Sequence, residues 1–316
     1  MAGHQTSIIT VFRVPETGCY GYSYHFSGDK PHYVINSCET LQQALSGCRK
    51  RTRSRPRMIA LGRQLFFDKH LSRDGTLSCG SCHDPKLSFS DGRKVARGIN
   101  DQEGPRNAPA IINRGYGRTF FWDGRAKSLE QQVLEPMLNP KELGMNQEDV
   151  ERRTGLKIAD ITAALASYVR TIRSGDSRFD RYADGNQHAL NDVEKAGLTV
   201  FRGKARCTTC HAGPNFTDES FHNTGIAWRD GSLADQGAGE GKFKVPTLRE
   251  VARTAPYVHD GSLKTLEDVA DYYDRGGNAN PNLDEDLRPL HLTAEEKSAL
   301  IAFLRSLSGN VREGKR

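Results

Sequence analysis

Long apolar runs are missing from this 316-residue chain. No stretch approaches the about 20 residues that a membrane-spanning helix needs, so a helical membrane span is not expected. The opening residues, MAGHQTSIITVFRVPETG, have neither a basic leader nor a long apolar segment, so no secretory signal is visible there. Apolar residues make up only 36% of the chain, and mean hydropathy is −0.65. That is low for a protein of this length with a core built from side chains alone, and a large apolar cofactor would make up the shortfall. A strong charge imbalance is missing too: Lys and Arg total 45 against 39 Asp and Glu. The basic excess is partly local, in RKRTRSRPR at 49–57, which reads as a solvated linker rather than a nucleic-acid surface. Beyond residue 57, strand signals are few.

What is present is a set of helical patterns separated by Gly-, Pro- and Asn-rich loops. MIALGRQLFFD (58–68) puts Met58, Leu61 and Leu65 on one face. Ser128 to Gln131 reads as a capping box, and Asp192 as the cap of a helix carrying Val193, Ala196, Val200 and Phe201. IADITAALASYVRTI (158–172) carries an apolar stripe at helical spacing. Thr265 and Thr293 open two more helices, the last placing Leu300, Phe303, Leu304 and Leu307 on one side. RSGDSRFDRYADGNQ (173–187) is polar and reads as a linker. The expected fold class is mainly α. It comprises an N-terminal extension of unknown role (1–56) and two helical domains (57–175 and 176–316), the last helix being free to pack back on the first domain.

Seven cysteines are present. Cys19, Cys38 and Cys48 lie in the extension, where an odd number allows one disulfide and one free thiol. The other four form two copies of Cys-x-x-Cys-His: Cys79, Cys82 and His83, then Cys207, Cys210 and His211. This is the attachment signature of c-type haem, in which two thioethers hold the porphyrin and the adjacent histidine reaches the iron. A redox dithiol or half a zinc site would also use Cys-x-x-Cys. Zinc wants four ligands in one place, however, and here each pair is followed at once by its own histidine. Function then depends on the opposite face of each iron. Candidate ligands there are His70, His222, His259, His291, Met137 and Met145.

Longer strings narrow the reading. LGRQLFFDKHLSRDGTLSCGSCHDP (61–85), GPRNAPAIIN (104–113), FFWDGRAKSLEQQ (120–132), CTTCHAGPNFTD (207–218), FKVPTLREVARTAPYVHDGSLKTLEDV (243–269) and LTAEEKSALIAFLRSL (292–307) resemble the bacterial di-haem cytochrome c peroxidase and MauG family. The resemblance runs from about 58 to 309. It implies two cytochrome-c-like domains, each with one covalent haem. His83 would bind the peroxidatic iron and His211 that of the second haem. Trp122 would bridge the two electronically. Gln132 and Glu142 would line the peroxide pocket, with Glu142 moving protons during O–O cleavage. Asn107 and the carbonyls of Thr254 and Pro256 would hold Ca²⁺. His259 would sit near a haem propionate or edge.

Two departures point to the MauG-like branch. Many peroxidases of the family carry a histidine before GPRN that blocks the first iron until the second haem is reduced. Here that position is Ile99, and no histidine occurs between 84 and 187, so the first iron is expected to be open. The methionine that such peroxidases place on the second iron is replaced, in KTLEDVADYYDRGG, by Tyr273. An anionic tyrosinate would favour oxidised iron. The expected activity is reduction of hydrogen peroxide with electrons from a partner such as a small cytochrome c or cupredoxin. The alternatives are oxidative modification of a partner protein side chain, or a non-enzymatic di-haem electron carrier. The tryptophan that MauG carries just before its second motif is missing, and Trp228 is the remaining one. Covalent haem implies the periplasm.

Overall fold

A computed structural model describes residues 56–314, together with the backbone of three short strands, Ile8–Arg13, Tyr20–His25 and Val34–Ile35. The three strands pair antiparallel in chain order. Cys19, Cys38 and Cys48 lie outside the described residues. The chain divides into the units Met1–Ser54 and Arg55–Arg316.

The larger unit is helical, and its helices follow from the patterns above. Helix Pro56–Phe66 opens on a proline, which has no N–H to leave unpaired, and buries Ile59, Leu65 and Phe66. Helix Ile158–Val169 buries Ile161, Leu165, Tyr168 and Val169. The two cross at Gly62, where a Cβ would come within 1.9 Å of the Ala164 carbonyl oxygen. Only glycine permits that approach. The same device recurs further along. Helix Asp192–Arg202 crosses helix Ala294–Ser306 at Gly197, where a Cβ would lie 1.9 Å from the Ala299 carbonyl oxygen. An aromatic residue closes each crossing: Tyr168 beside Gly62, and Phe303 beside Gly197.

Two apolar clusters form around these crossings. One draws on residues between Leu65 and Ile172, the other on residues between Leu198 and Leu307. The last helix packs on Asp192–Arg202 rather than back on the first helices. What returns is the segment after it: strand Asn310–Arg312 pairs antiparallel with Arg173–Gly175.

Local chemistry differs from the sequence reading in three places. Ser128 does cap helix Leu129–Leu138, accepting the Gln131 N–H at 3.1 Å, but Gln131 Oε1 accepts from the Lys127 N–H, so the reciprocal half of the box is displaced by one residue. The cap of Asp192–Arg202 is Asn191, which forms a full box with Glu194 and leaves Asp192 in the first turn. The polar stretch 173–187 contains helix Arg178–Ala183, capped by Ser177 and pinned where Arg249 donates to Asp180 at 2.6 Å. Thr265 and Thr293 form full boxes, as their patterns indicate.

Candidate functional site

Each Cys-x-x-Cys-His motif is wound into a single tight turn. The first is the short helix Cys79–Cys82, and the second a 3-10 turn over Cys207–Thr209. In both, the histidine N–H donates to the carbonyl of the first cysteine, at 3.0 Å for His83 and 2.8 Å for His211. Both sulfurs and the imidazole are thereby held on one turn. Each imidazole is then oriented by a backbone carbonyl: His83 Nδ1 lies 3.1 Å from the Phe89 oxygen and His211 Nδ1 2.9 Å from the Phe216 oxygen. A carbonyl only accepts, so Nδ1 carries the hydrogen and Nε2 is left with its lone pair, the state of a metal-ligating histidine. Burial pushes both imidazoles below their ordinary pKa and keeps them neutral.

None of the four motif cysteines is paired in a disulfide. Burial pushes Cys79 and Cys207 up to about 12 and Cys82 up to about 11. A reactive dithiol uses the opposite shift, so these three environments do not favour one. Among the described residues no three or more His, Cys, Asp or Glu are gathered as a structural zinc site requires.

Both motifs line one cavity of about 750 Å³, walled mainly by apolar side chains. Packed interiors do not leave voids of that size, so its volume and lining suit large, flat apolar groups attached at the two turns.

On the side of the first motif the wall carries Gln132 and Glu142. Glu142 is close enough to Cys79 and Cys82 for its charge to raise both thiols. Burial lifts its carboxyl above the usual range, against the stabilising hydrogen bond from Asn139 Nδ2 at 2.8 Å. Ile99 is buried, and its N–H donates to the Glu142 carbonyl at 2.9 Å. Its side chain packs over Gly144 rather than lining the cavity.

Trp122 also lines the cavity and is anchored from both sides. Its Nε1–H donates to the Asn107 carbonyl at 2.9 Å, and its own carbonyl accepts the Lys244 N–H at 2.8 Å. Next to it, Arg106 grips Asp235 with two hydrogen bonds and Asp123 with a third.

On the side of the second motif, helix Leu266–Asp274 turns Tyr273 towards the cavity beside Cys207 and Cys210. Burial, then neighbouring Tyr272 and the two sulfurs, hold its phenol well above the ordinary pKa. Tyr272 spends its hydroxyl elsewhere, donating to the Thr224 carbonyl at 2.7 Å. His259 is buried, stacks on Phe243 with ring centroids 3.5 Å apart, and is lowered to about 4 by burial.

The candidate ligands separate cleanly. His70 and His291 are exposed, and Met137 and Met145 are buried in the first apolar cluster. His222 and His259 line the cavity. His222 lies 3.6 Å from Cys210 Sγ and 2.7 Å from Ser220 Oγ, and its Nδ1 bonds Asp284. Lys244 is a site residue that the sequence did not announce. It is buried, donates to the Thr119 carbonyl at 2.6 Å, and is pushed down to about 7 by burial and then by Arg114. No spacing or motif marks it.

Asn107 is buried beside the segment that carries Thr254 and Pro256, its N–H donating to the His259 carbonyl at 2.7 Å. Its side-chain Nδ2 donates to the Arg93 carbonyl at 2.7 Å, which fixes the amide and leaves Oδ1 as the oxygen donor.

A model of the family described as di-haem cytochrome c peroxidase matches residues 56–188. The chain is 38% identical over 282 residues to the methylamine utilization protein MauG of Methylorubrum extorquens, covering 80% of this chain and 78% of that one. It is 35% identical over 304 residues to the cytochrome-c peroxidase IdrP1 of a Pseudomonas species, covering 79% and 80%. Its fold superposes with a TM-score of 0.73 on the crystal structure of a MauG-like protein associated with microbial copper homeostasis, at 35% identity, covering 80% of this chain and 89% of that one. Two haems and peroxidase-type oxidoreductase chemistry come with that relationship: this chain belongs to the di-haem cytochrome c peroxidase and MauG family.

Proposed function

We propose that residues 57–175 carry the peroxide-reactive haem on Cys79, Cys82 and His83, and residues 176–316 a charge-storing haem on Cys207, Cys210, His211 and Tyr273. When bound, the haems supply the iron chemistry that cleaves the O–O bond and holds the oxidising equivalents. Glu142 takes the proton from the near oxygen of peroxide and delivers it to the far one, so that water leaves. A carboxyl whose proton affinity is raised by burial suits that exchange. Gln132 orients peroxide by hydrogen bonding. Trp122, with its ring held by Asn107, offers a π-system between the two attachment turns. Asn107, Thr254 and Pro256 offer oxygen donors of the kind Ca²⁺ takes. His259, neutral and stacked on Phe243, would lie along the edge of a bound haem.

The observation that carries this reading is the pairing of Glu142 with Ile99. A buried acid faces the first attachment turn, and the residue in place of a blocking histidine packs away from the cavity. The test is stopped-flow absorption of the fully oxidised, haem-loaded protein mixed with one equivalent of hydrogen peroxide. Rapid bleaching of the ferric bands without prior reduction is the expected result. Reaction only after one haem is reduced would overturn the open site, and no reaction in either state would indicate an electron carrier.

Electrons then come from a redox partner protein, a small cytochrome c or a cupredoxin, in the periplasm, where c-type haem is attached. Oxidation of a partner protein's side chain is the second reading. The placement of Tyr273 beside the second attachment turn favours it, as does the 38% identity to a MauG chain.

A further inference from the structure

The two helix crossings are built alike, but they are closed by different rings. Phe303 packs beside Gly197, and Tyr168 beside Gly62. Packing at a crossing needs only the ring, as Phe303 demonstrates. The Tyr168 hydroxyl is therefore surplus to packing, and burying it carries a desolvation cost that phenylalanine avoids. Tyr168 is 0% exposed, and its hydroxyl donates to the Glu313 carboxylate. Arg63 Nη2 holds the other carboxylate oxygen at 3.1 Å. Glu313 is itself held in place: it follows the strand Asn310–Arg312, and the Gly314 N–H donates to Thr171 Oγ1 at 2.8 Å.

Aromatic rings connect this hydroxyl to the first attachment turn. Phe66 lines the cavity and stands 5.1 Å from the Tyr168 ring and 6.4 Å from Phe89, whose carbonyl orients His83. Phe67 lies 6.3 Å from Tyr168 and covers Gly80, between the two cysteines, where a Cβ would meet its ring at 2.5 Å. Phe67 is 37% exposed, with the Arg63 guanidinium 5.4 Å from its ring centre. One end of the chain of rings faces the cavity and the other faces solvent. The second half has a comparable cluster of Phe179, Phe201, Phe216 and Phe303, in which no ring carries a hydroxyl.

We propose that Tyr168 is a proton-coupled redox relay between the first haem site and the surface formed by Arg63, Phe67 and Glu313. The step rests on the function proposed above, because its oxidant is the haem site after reaction with peroxide. One electron leaves the Tyr168 ring for that site. The O–H bond breaks, and the proton passes along the existing hydrogen bond to the Glu313 carboxylate, leaving a neutral tyrosyl radical and a carboxylic acid. A one-electron donor at the exposed face returns the electron, and Glu313 returns the proton. At rest, burial and then the Glu313 carboxylate hold the phenol protonated, so the proton moves only when the electron does.

The experiment uses the haem-loaded full chain, grown with ring-deuterated tyrosine, mixed with hydrogen peroxide and freeze-quenched for EPR. The expected result is a narrow organic-radical signal that sharpens on deuteration and is lost in Y168F. That variant recreates the ring of the second crossing and should load both haems. E313Q, which leaves every ring in place but removes the proton acceptor, should lose about a hundred-fold of the signal, the low end of the range for a positioned acid–base group. An undiminished deuterium-sensitive signal in either variant overturns the proposal. So does bleaching of the ferric bands with no tyrosine-derived radical, an outcome that leaves the proposed function standing. Failure of the ferric bands to respond to peroxide overturns both.

Discussion

Tyr272 and Tyr273 are consecutive and nearly perpendicular, with ring centroids 5.6 Å apart and planes at 88°, yet only Tyr273 lines the cavity. Tyr272 is the more deeply buried of the two, and its hydroxyl is committed to Thr224. Tyr273→Met is expected to raise the midpoint potential of one haem and leave the other unchanged, because a neutral thioether replaces an anionic oxygen. Tyr272→Phe is expected to leave both potentials unchanged and to cost about 2 kcal/mol of stability through two lost hydrogen bonds, the one donated to the Thr224 carbonyl and the one accepted from the Asn278 N–H. Spectroelectrochemical titration of the two variants checks both.

Glu142→Gln removes a proton carrier while keeping the shape of the wall. Peroxide reaction is expected to slow by about 10²- to 10⁴-fold, with haem content unchanged. The pH dependence has a definite sign. Burial raises this carboxyl, and the unprotonated form must accept the proton of peroxide. The wild-type rate should therefore rise with pH through a midpoint above the usual carboxylate range, and that limb should vanish in the variant. Stopped-flow rates measured across the acidic range decide it.

Gly62→Ala and Gly197→Ala each drive a methyl group into a backbone carbonyl at a helix crossing. Each is expected to lower stability by about 2–3 kcal/mol, the upper range for overpacking, because backbone cannot rotate out of the way as a side chain can. The two losses should add, since they fall in separate apolar clusters. Thermal unfolding of the haem-loaded single and double variants provides the measurement.

Asn107→Ala should abolish any response of peroxide turnover to calcium. In the wild type, chelation with EGTA should reduce turnover and Ca²⁺ should restore it better than Mg²⁺, because amide and carbonyl oxygens suit the larger, more flexible shell. Turnover without and with each ion distinguishes these outcomes.

The parts of the site that were legible in sequence are those fixed by short covalent spacing. Cys-x-x-Cys-His is one turn long, and within one turn the backbone leaves little freedom. Helix starts such as Thr265 and Thr293 were legible for the same reason, since a cap and its partner lie three residues apart. Tyr273 could be placed on an inward stripe with Leu266 and Val269, but that Tyr272 is also buried depends on Thr224, which no local pattern predicts. Helix Arg178–Ala183 was hidden because it is polar and is held by Arg249 from far along the chain. Lys244 and the contact of Glu313 with Tyr168 were invisible for the same reason: both arise from residues more than a hundred positions apart.

The cavity that reaches both attachment turns has a consequence for how the protein is assembled. Side chains do not fill it, so neither half can complete its interior by collapse alone. An unloaded polypeptide would remain loose at its centre, with its attachment thiols accessible to the machinery that joins porphyrin to protein. A chain that misses either haem would keep an unfilled space at that turn and pack more loosely there than the loaded protein.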